Sequence, residues 1–187
     1  MYESKTGILN DKTKTFEKAI KQVWASVWNE SSYWERELFG IDQNNIAMGL
    51  LVHRAFPDEL ANGVIVSKNM SRGEFTGITV NVQKGENSVV KPEKGVVCEQ
   101  FTVYDFDLFT DNNANAEVDY ISQSNLNENK PLLSIAEINN LYRVTRKIQQ
   151  KINGYWGTLS FKAIDIEFKI VGEKRELYIK QARVFND

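Results

Sequence analysis

The sequence predicts an α+β fold, a mostly antiparallel sheet backed by helices, and three observations carry that prediction. An apolar stripe at helical spacing opens the chain, short alternating segments fill its middle, and a long amphipathic stretch after Ser134 leads into a charged hairpin. Runs of strands interrupted by one long helix imply strands that pair with their neighbours, with the helix laid on one face.

The first stripe is Phe16, Ile20, Val23, Trp24, Val27 and Trp28, three and four residues apart, which predicts an amphipathic helix. Ser32 with Glu35 three residues later reads as a capping box opening a second, short helix that Gly40 ends. Trp24, Trp28 and Trp34 could form helix core or stack on a purine ring. From Asn45 the texture changes. Ile46 to Phe56, IAMGLLVHRAF, reads as a buried strand, and GVIVS (Gly63 to Ser67), GITVNVQ (Gly77 to Gln83) and a segment from Cys98 follow as further strands. The loop from Gln83 to Gly95 has glycines and lysines that suit either a phosphate or a plain polar connection. Thr110 to Lys130 is Asn-rich and weakly periodic, so it is expected to be a mobile insertion. Ser134 and Glu137 then form a second capping box, and Ile135, Ile138, Leu141, Tyr142, Val144, Ile148 and Ile152 give the long helix a broad apolar face up to Gly154.

Composition narrows the function classes. A chain of 187 residues with 42% hydrophobic content and four Trp has the material for a core, in one domain or one lobe of a larger one. Lys and Arg number 23 against 25 Asp and Glu, so no basic excess argues for nucleic acid. The longest apolar run, Ala47 to Val52, is too short to span a bilayer, and MYESKTGILN lacks the pattern of a secretory signal. A cytoplasmic location is the expectation. One cysteine, Cys98, makes neither an internal disulfide nor a zinc cluster.

The hairpin DIEFKIVGEKRELYIKQAR carries the candidate site residues. Strand alternation sends Ile164, Ile166, Phe168 and Ile170 to one face and Asp165, Glu167 and Lys169 to the other. If Val171 lies opposite Leu177 across a five-residue turn, Glu167 faces Gln181 and Asp165 faces Arg183. Leu177 and Ile179 then lie on the polar side near the turn. Two carboxylates and an amide oxygen are hard ligands that suit Mg²⁺ bridging to phosphates, and a guanidinium suits a phosphoryl group. A solvated face with an Asp165–Arg183 surface pair has the same spacing.

Beyond spacing, the chain resembles the ATP-grasp nucleotide-binding domain of phosphoenolpyruvate synthases and pyruvate phosphate dikinases. The resemblance runs through VWAS and GID in Ala19 to Asp42, through IAMGLLVHRAF, through NGVIVSKN, and most specifically through DIEFKI and LYIKQAR. It implies ATP and Mg²⁺ as cofactors, Asp165, Glu167 and Gln181 as nucleotide and metal contacts (Glu167 and Gln181 on the metal), and Arg183 as the catalytic phosphoryl contact. It also implies a cytoplasmic enzyme that passes a phosphoryl group from ATP to a histidine on another domain, with pyruvate-binding and phosphohistidine domains as partners. His53 stands where the family has Gln, QKGE (Gln83 to Glu86) where it has GLGE, and Val184 where it has Pro. His53 also lacks the TSH context of the family's phosphorylated histidine. The family's upstream Lys and Arg have no counterpart in MYESKTGILND, so residues 1–187 are expected to be a partial ATP-grasp-like subdomain, inactive by itself. The alternative is a degenerate relative serving as a regulatory or interaction module.

Overall fold

In the computed structural model, which describes residues 15–52, 56, 58–71, 76–104, 117–155 and 162–185, the chain divides into two units, Met1–Pro57 and Asp58–Asp187. In the first unit, helix α1 spans Phe16–Ala25, with the Thr15 side chain accepting from the Lys18 amide at its start. A 3-10 turn at Ser26–Trp28 follows, then helix α2 at Glu30–Leu38. Asn29 breaks the run because it is extended, with φ −60° and ψ 145°. Ser32 therefore lies inside α2 and does not open it, a correction to the capping-box reading. Gly40, at φ +64°, ends the helix as expected, and the Ile41 amide reaches back to the Arg36 carbonyl at 2.9 Å.

Two further expectations change here. Trp24, Trp28 and Trp34 are all exposed, so helix core does not describe them, and the Arg36 guanidinium lies 5.8 Å from the Trp28 ring centroid. Ile46–Val52 is not a strand: the segment has no ladder partner among the described residues, and Leu51 and Val52 are exposed. An apolar run becomes a strand only where another edge satisfies its backbone groups. His53 and the first 14 residues lie outside the described residues.

The second unit is built on one six-stranded sheet: β1 (Glu59–Val66), β2 (Ile78–Lys84), β3 (Glu99–Tyr104), β4 (Glu117–Ser122), β5 (Ile164–Val171) and β6 (Glu176–Val184). Strands β1 to β4 run as a meander. The long helix α3, Ile135–Tyr155, then separates β4 from β5, which pairs with β1 to give the order β4-β3-β2-β1-β5-β6, antiparallel throughout. The expected α+β architecture is the observed one. At the start of α3 the capping box forms as read: the Ser134 amide donates to Glu137 Oε2 at 2.7 Å and the Glu137 amide donates to Ser134 Oγ at 3.3 Å.

Alternation gives the sheet two chemically distinct faces. Ile65, Val80, Phe101, Ile166 and Phe168 form one core with Ile138, Leu141 and Tyr142 of α3. Burying each side chain of this kind contributes about 1.5–3 kcal/mol. Gly63 is needed where Phe168 crosses it: a Cβ there would sit 2.4 Å from the ring and 2.6 Å from the Asn81 carbonyl oxygen. Arg146 of α3 is buried and donates to the carbonyls of Ser67 and Gly77, at 3.1 and 3.0 Å, and to Gln149 Oε1 at 2.8 Å. It thereby ties the end of β1 and the start of β2 to the helix.

The stretch expected to be a mobile insertion behaves otherwise in its second half. Residues 117–122 are edge strand β4, and Ser124 is fully buried with its hydroxyl donating to Gln83 Oε1. Tyr120 and Val118 pack against the core from alternate positions, a short period hidden among the asparagines. Residues 110–116 lie outside the described residues.

Candidate functional site

The polar face of the sheet is richest at β5 and β6. The register puts Glu167 opposite Gln181 and Asp165 opposite Arg183, so all four predicted residues come together on one face. The route differs from the sequence reading. Val171 pairs with Glu176 rather than Leu177, and the turn is one residue shorter, Gly172 to Arg175, with Gly172 and Arg175 both at positive φ. A bulge opposite Glu167 and Phe168 then takes up one residue, Lys180, and restores the pairing. Leu177 and Ile179 consequently pack against the core with Ala182, not on the polar side. The apolar spacing 177, 179, 182 marks the bulge, because a regular strand would place the third at 181.

Within this group the side chains are unequally engaged. Arg183 Nε lies 2.9 Å from both oxygens of Asp165, and its Nη2 lies 2.8 Å from Asp165 Oδ2. These hydrogen bonds raise the guanidinium pKa above its ordinary value, against the opposing effect of burial and with a smaller contribution from Glu167. Asp165 is thus spent on Arg183, while Arg183, 65% exposed, keeps Nη1 free of protein partners among the described residues. Among the described residues Glu167 forms an ion pair with Lys180, 3.7 Å away, and Gln181 is exposed. A carboxylate and an amide on one rung, neither committed to a short hydrogen bond, are what a hard cation can use. Among the described residues no three acidic, His or Cys side chains cluster. That donor set suits Mg²⁺ that keeps waters and takes other ligands from phosphates, and does not suit an all-protein cage.

Farther along the same face lie groups that sequence reasoning missed. Lys169 forms an ion pair with Glu59, whose side chain is 1% exposed. Burial pushes the Glu59 carboxyl above the usual range, Lys169 pulls it back in part, and Glu86 adds to the rise. Asn62, on β1 beside Lys169, donates to the carbonyls of Gly85 and Asn87 at 2.6 and 2.9 Å, so the Lys84–Asn87 turn is pinned at that end of the face. Lys169 was visible as a cation on the polar side of β5, but its partner Glu59 is 110 residues away in sequence. An open cavity of about 690 Å³ lies elsewhere, lined by Leu60, Lys84, Leu132, Ser134, Glu137 and Arg175 among others, and none of the four predicted residues borders it.

Comparison with known proteins bears on the whole chain. The family model of the pyruvate phosphate dikinase AMP/ATP-binding domain matches residues 4–186. A stretch of 67 residues, 36% of the chain, is 37% identical to alpha-glucan water dikinase 1, chloroplastic, of Arabidopsis thaliana, and covers 5% of that protein's length.

Proposed function

The chain belongs to the family of pyruvate phosphate dikinase AMP/ATP-binding domains, and from that premise we propose that its sheet is the ATP- and Mg²⁺-binding part of an ATP-grasp phosphotransferase. In this reading a phosphoryl group passes from ATP to a histidine on another domain, and further domains carry it to a final acceptor such as pyruvate or a glucan. The observation that carries the reading is the pairing of Glu167 and Gln181 on one rung, with Glu167 held only by a 3.7 Å ion pair to Lys180 among the described residues, beside the Asp165–Arg183 clamp.

Phosphoryl transfer asks a protein mainly for positioning and charge neutralisation. Glu167 and Gln181 would hold Mg²⁺, which when bound would supply part of that neutralisation. Asp165 fixes the plane of Arg183 by accepting from Nε and Nη2, which leaves Nη1 to donate to a phosphoryl oxygen. A guanidinium held this way offers fixed donors to developing charge and needs little reorganisation when the charge moves.

Calorimetric titration with ATP at several Mg²⁺ concentrations tests the reading. Binding should depend on Mg²⁺, and Glu167→Ala should weaken it at least about tenfold, or about 1.4 kcal/mol. A solvated, non-functional face predicts equal affinity for Glu167→Ala and the wild type, and that equality would reject the proposal.

A further inference from the structure

We propose that the cavity between the β5–β6 turn and the start of α3 is a second, anion-binding site that takes a small phosphomonoester. It lies within the unit Asp58–Asp187, has a volume of about 690 Å³ and is bordered by Lys84, Glu137, Lys174 and Arg175. Small-molecule sites commonly occupy about 300–1,000 Å³. Val171, next to the turn, is four residues from Glu167, or about 13 Å along β5, so the cavity is separate from the hairpin residues assigned to the nucleotide. The inference therefore stands without the nucleotide reading.

Charge sets the class of ligand. Three cations and one carboxylate border the cavity, and the carboxylate is already matched. Glu137 accepts from Arg175 Nε at 2.7 Å and from the Ser134 amide and hydroxyl at 2.7 and 2.8 Å. Burial pushes its carboxyl up, yet the Arg175 and Ser134 hydrogen bonds together hold it below its ordinary value. Lys84, at the end of β2, and Lys174, in the β5–β6 turn, are exposed, and neither ammonium has an ion-pair partner among the described residues. Two positive charges are thus left over at the cavity, and a dianion offsets them.

The Arg175 guanidinium is held in place. Its Nη2 donates to the Leu132 carbonyl at 2.8 Å and to Glu137 Oε2 at 3.3 Å. Nη1 keeps its donors free of protein partners among the described residues. The backbone of Arg175 sits at φ +53°, a conformation that a Cβ disfavours, and these hydrogen bonds hold it there. Leu60, Pro131 and Leu132 add apolar surface to the lining. The cavity therefore offers donors to a phosphate and room for the carbon body attached to it. Lysines on flexible stems suit phosphate oxygens whose direction is set by a more rigid guanidinium.

The test titrates the isotope-labelled 187-residue chain with inorganic phosphate and with phenyl phosphate at constant ionic strength, following backbone amides by NMR. Both probes should shift the Ser134, Lys174 and Arg175 amides saturably, with phenyl phosphate bound at least about threefold more tightly because its ring buries apolar surface. Lys84→Met combined with Lys174→Met should weaken both probes at least about fivefold with the unfolding midpoint unchanged, whereas Lys84→Arg with Lys174→Arg should keep most of the affinity. Arg183→Met should leave the cavity shifts as they are in the wild type. Shifts that do not saturate, that keep wild-type affinity in the double methionine variant, or that centre on Gln181 and Arg183 overturn the proposal. Phenyl phosphate bound no more tightly than inorganic phosphate overturns the assignment of an organic ligand. None of these readouts depends on ATP binding.

Discussion

Adjacent residues of β5 should separate scaffold from site when each is cut to alanine. Ile166 is 1% exposed on the core face, between Ile65 of β1 and Ala182 of β6. Truncation removes three carbon groups, about 2.4 kcal/mol at ~0.8 kcal/mol per buried group. The residual cavity brings the cost into the range of about 2–5 kcal/mol, since flanking strands relax only in part. For a unit of this size that is a fall of about 6–15 °C in Tm. Glu167 is one residue on, and among the described residues it forms an ion pair with Lys180 at 3.7 Å. A part-exposed pair of that kind contributes roughly 0–1 kcal/mol, so Glu167→Ala should shift Tm by less than about 3 °C while weakening Mg²⁺·ATP. Thermal unfolding and nucleotide titration on both variants give the two readouts. If Glu167→Ala unfolds the unit, or Ile166→Ala is as stable as wild type, the face assignment of β5 is wrong.

Other substitutions probe the supports of the site. Gly63→Ala should destabilise by about 1–3 kcal/mol or more, because the new Cβ meets both the Phe168 ring and a carbonyl that cannot move freely; denaturant unfolding measures it. Arg146→Met should cost about 3 kcal/mol or more in the same assay, since the buried carbonyls of Ser67 and Gly77 lose donors worth about 1–3 kcal/mol each. Glu99 is fully buried, and burial raises its carboxyl above the ordinary 4.5 despite the hydrogen bond from the Leu132 amide. The folded state then holds the proton more tightly than the unfolded one. This contribution to stability is complete below pH 4.5 and is lost as pH rises through the raised value. Glu99→Gln should flatten that part of the stability profile between pH 4 and 8, and an unaltered slope would clear Glu99 of the effect. Deleting 117–127 should abolish cooperative unfolding, because it removes β4 and the buried Ser124–Gln83 hydrogen bond.

Local periodicity determined a good deal of this protein. The apolar rows of α3, the alternation of β5 and the Ser134–Glu137 box depend on neighbours within four residues, so they were legible before any partner was known. The same alternation puts Asp165 and Glu167 on one face, and they pair with Gln181 and Arg183 although the turn is one residue shorter than the spacing predicts. A shorter turn and the Lys180 bulge offset each other, and only the paired strands show it. Tertiary structure decided whatever needed a distant partner. Ile46–Val52 has the texture of a strand, but a strand exists only where another edge accepts its hydrogen bonds. Residues 117–122 look like loop, yet β3 offers them such an edge. Glu59 meets Lys169, and Lys68 reaches Phe185, because β1 lies against β5. Contacts across more than a hundred residues leave no period in the chain, since what sets them is the order in which strands join the sheet.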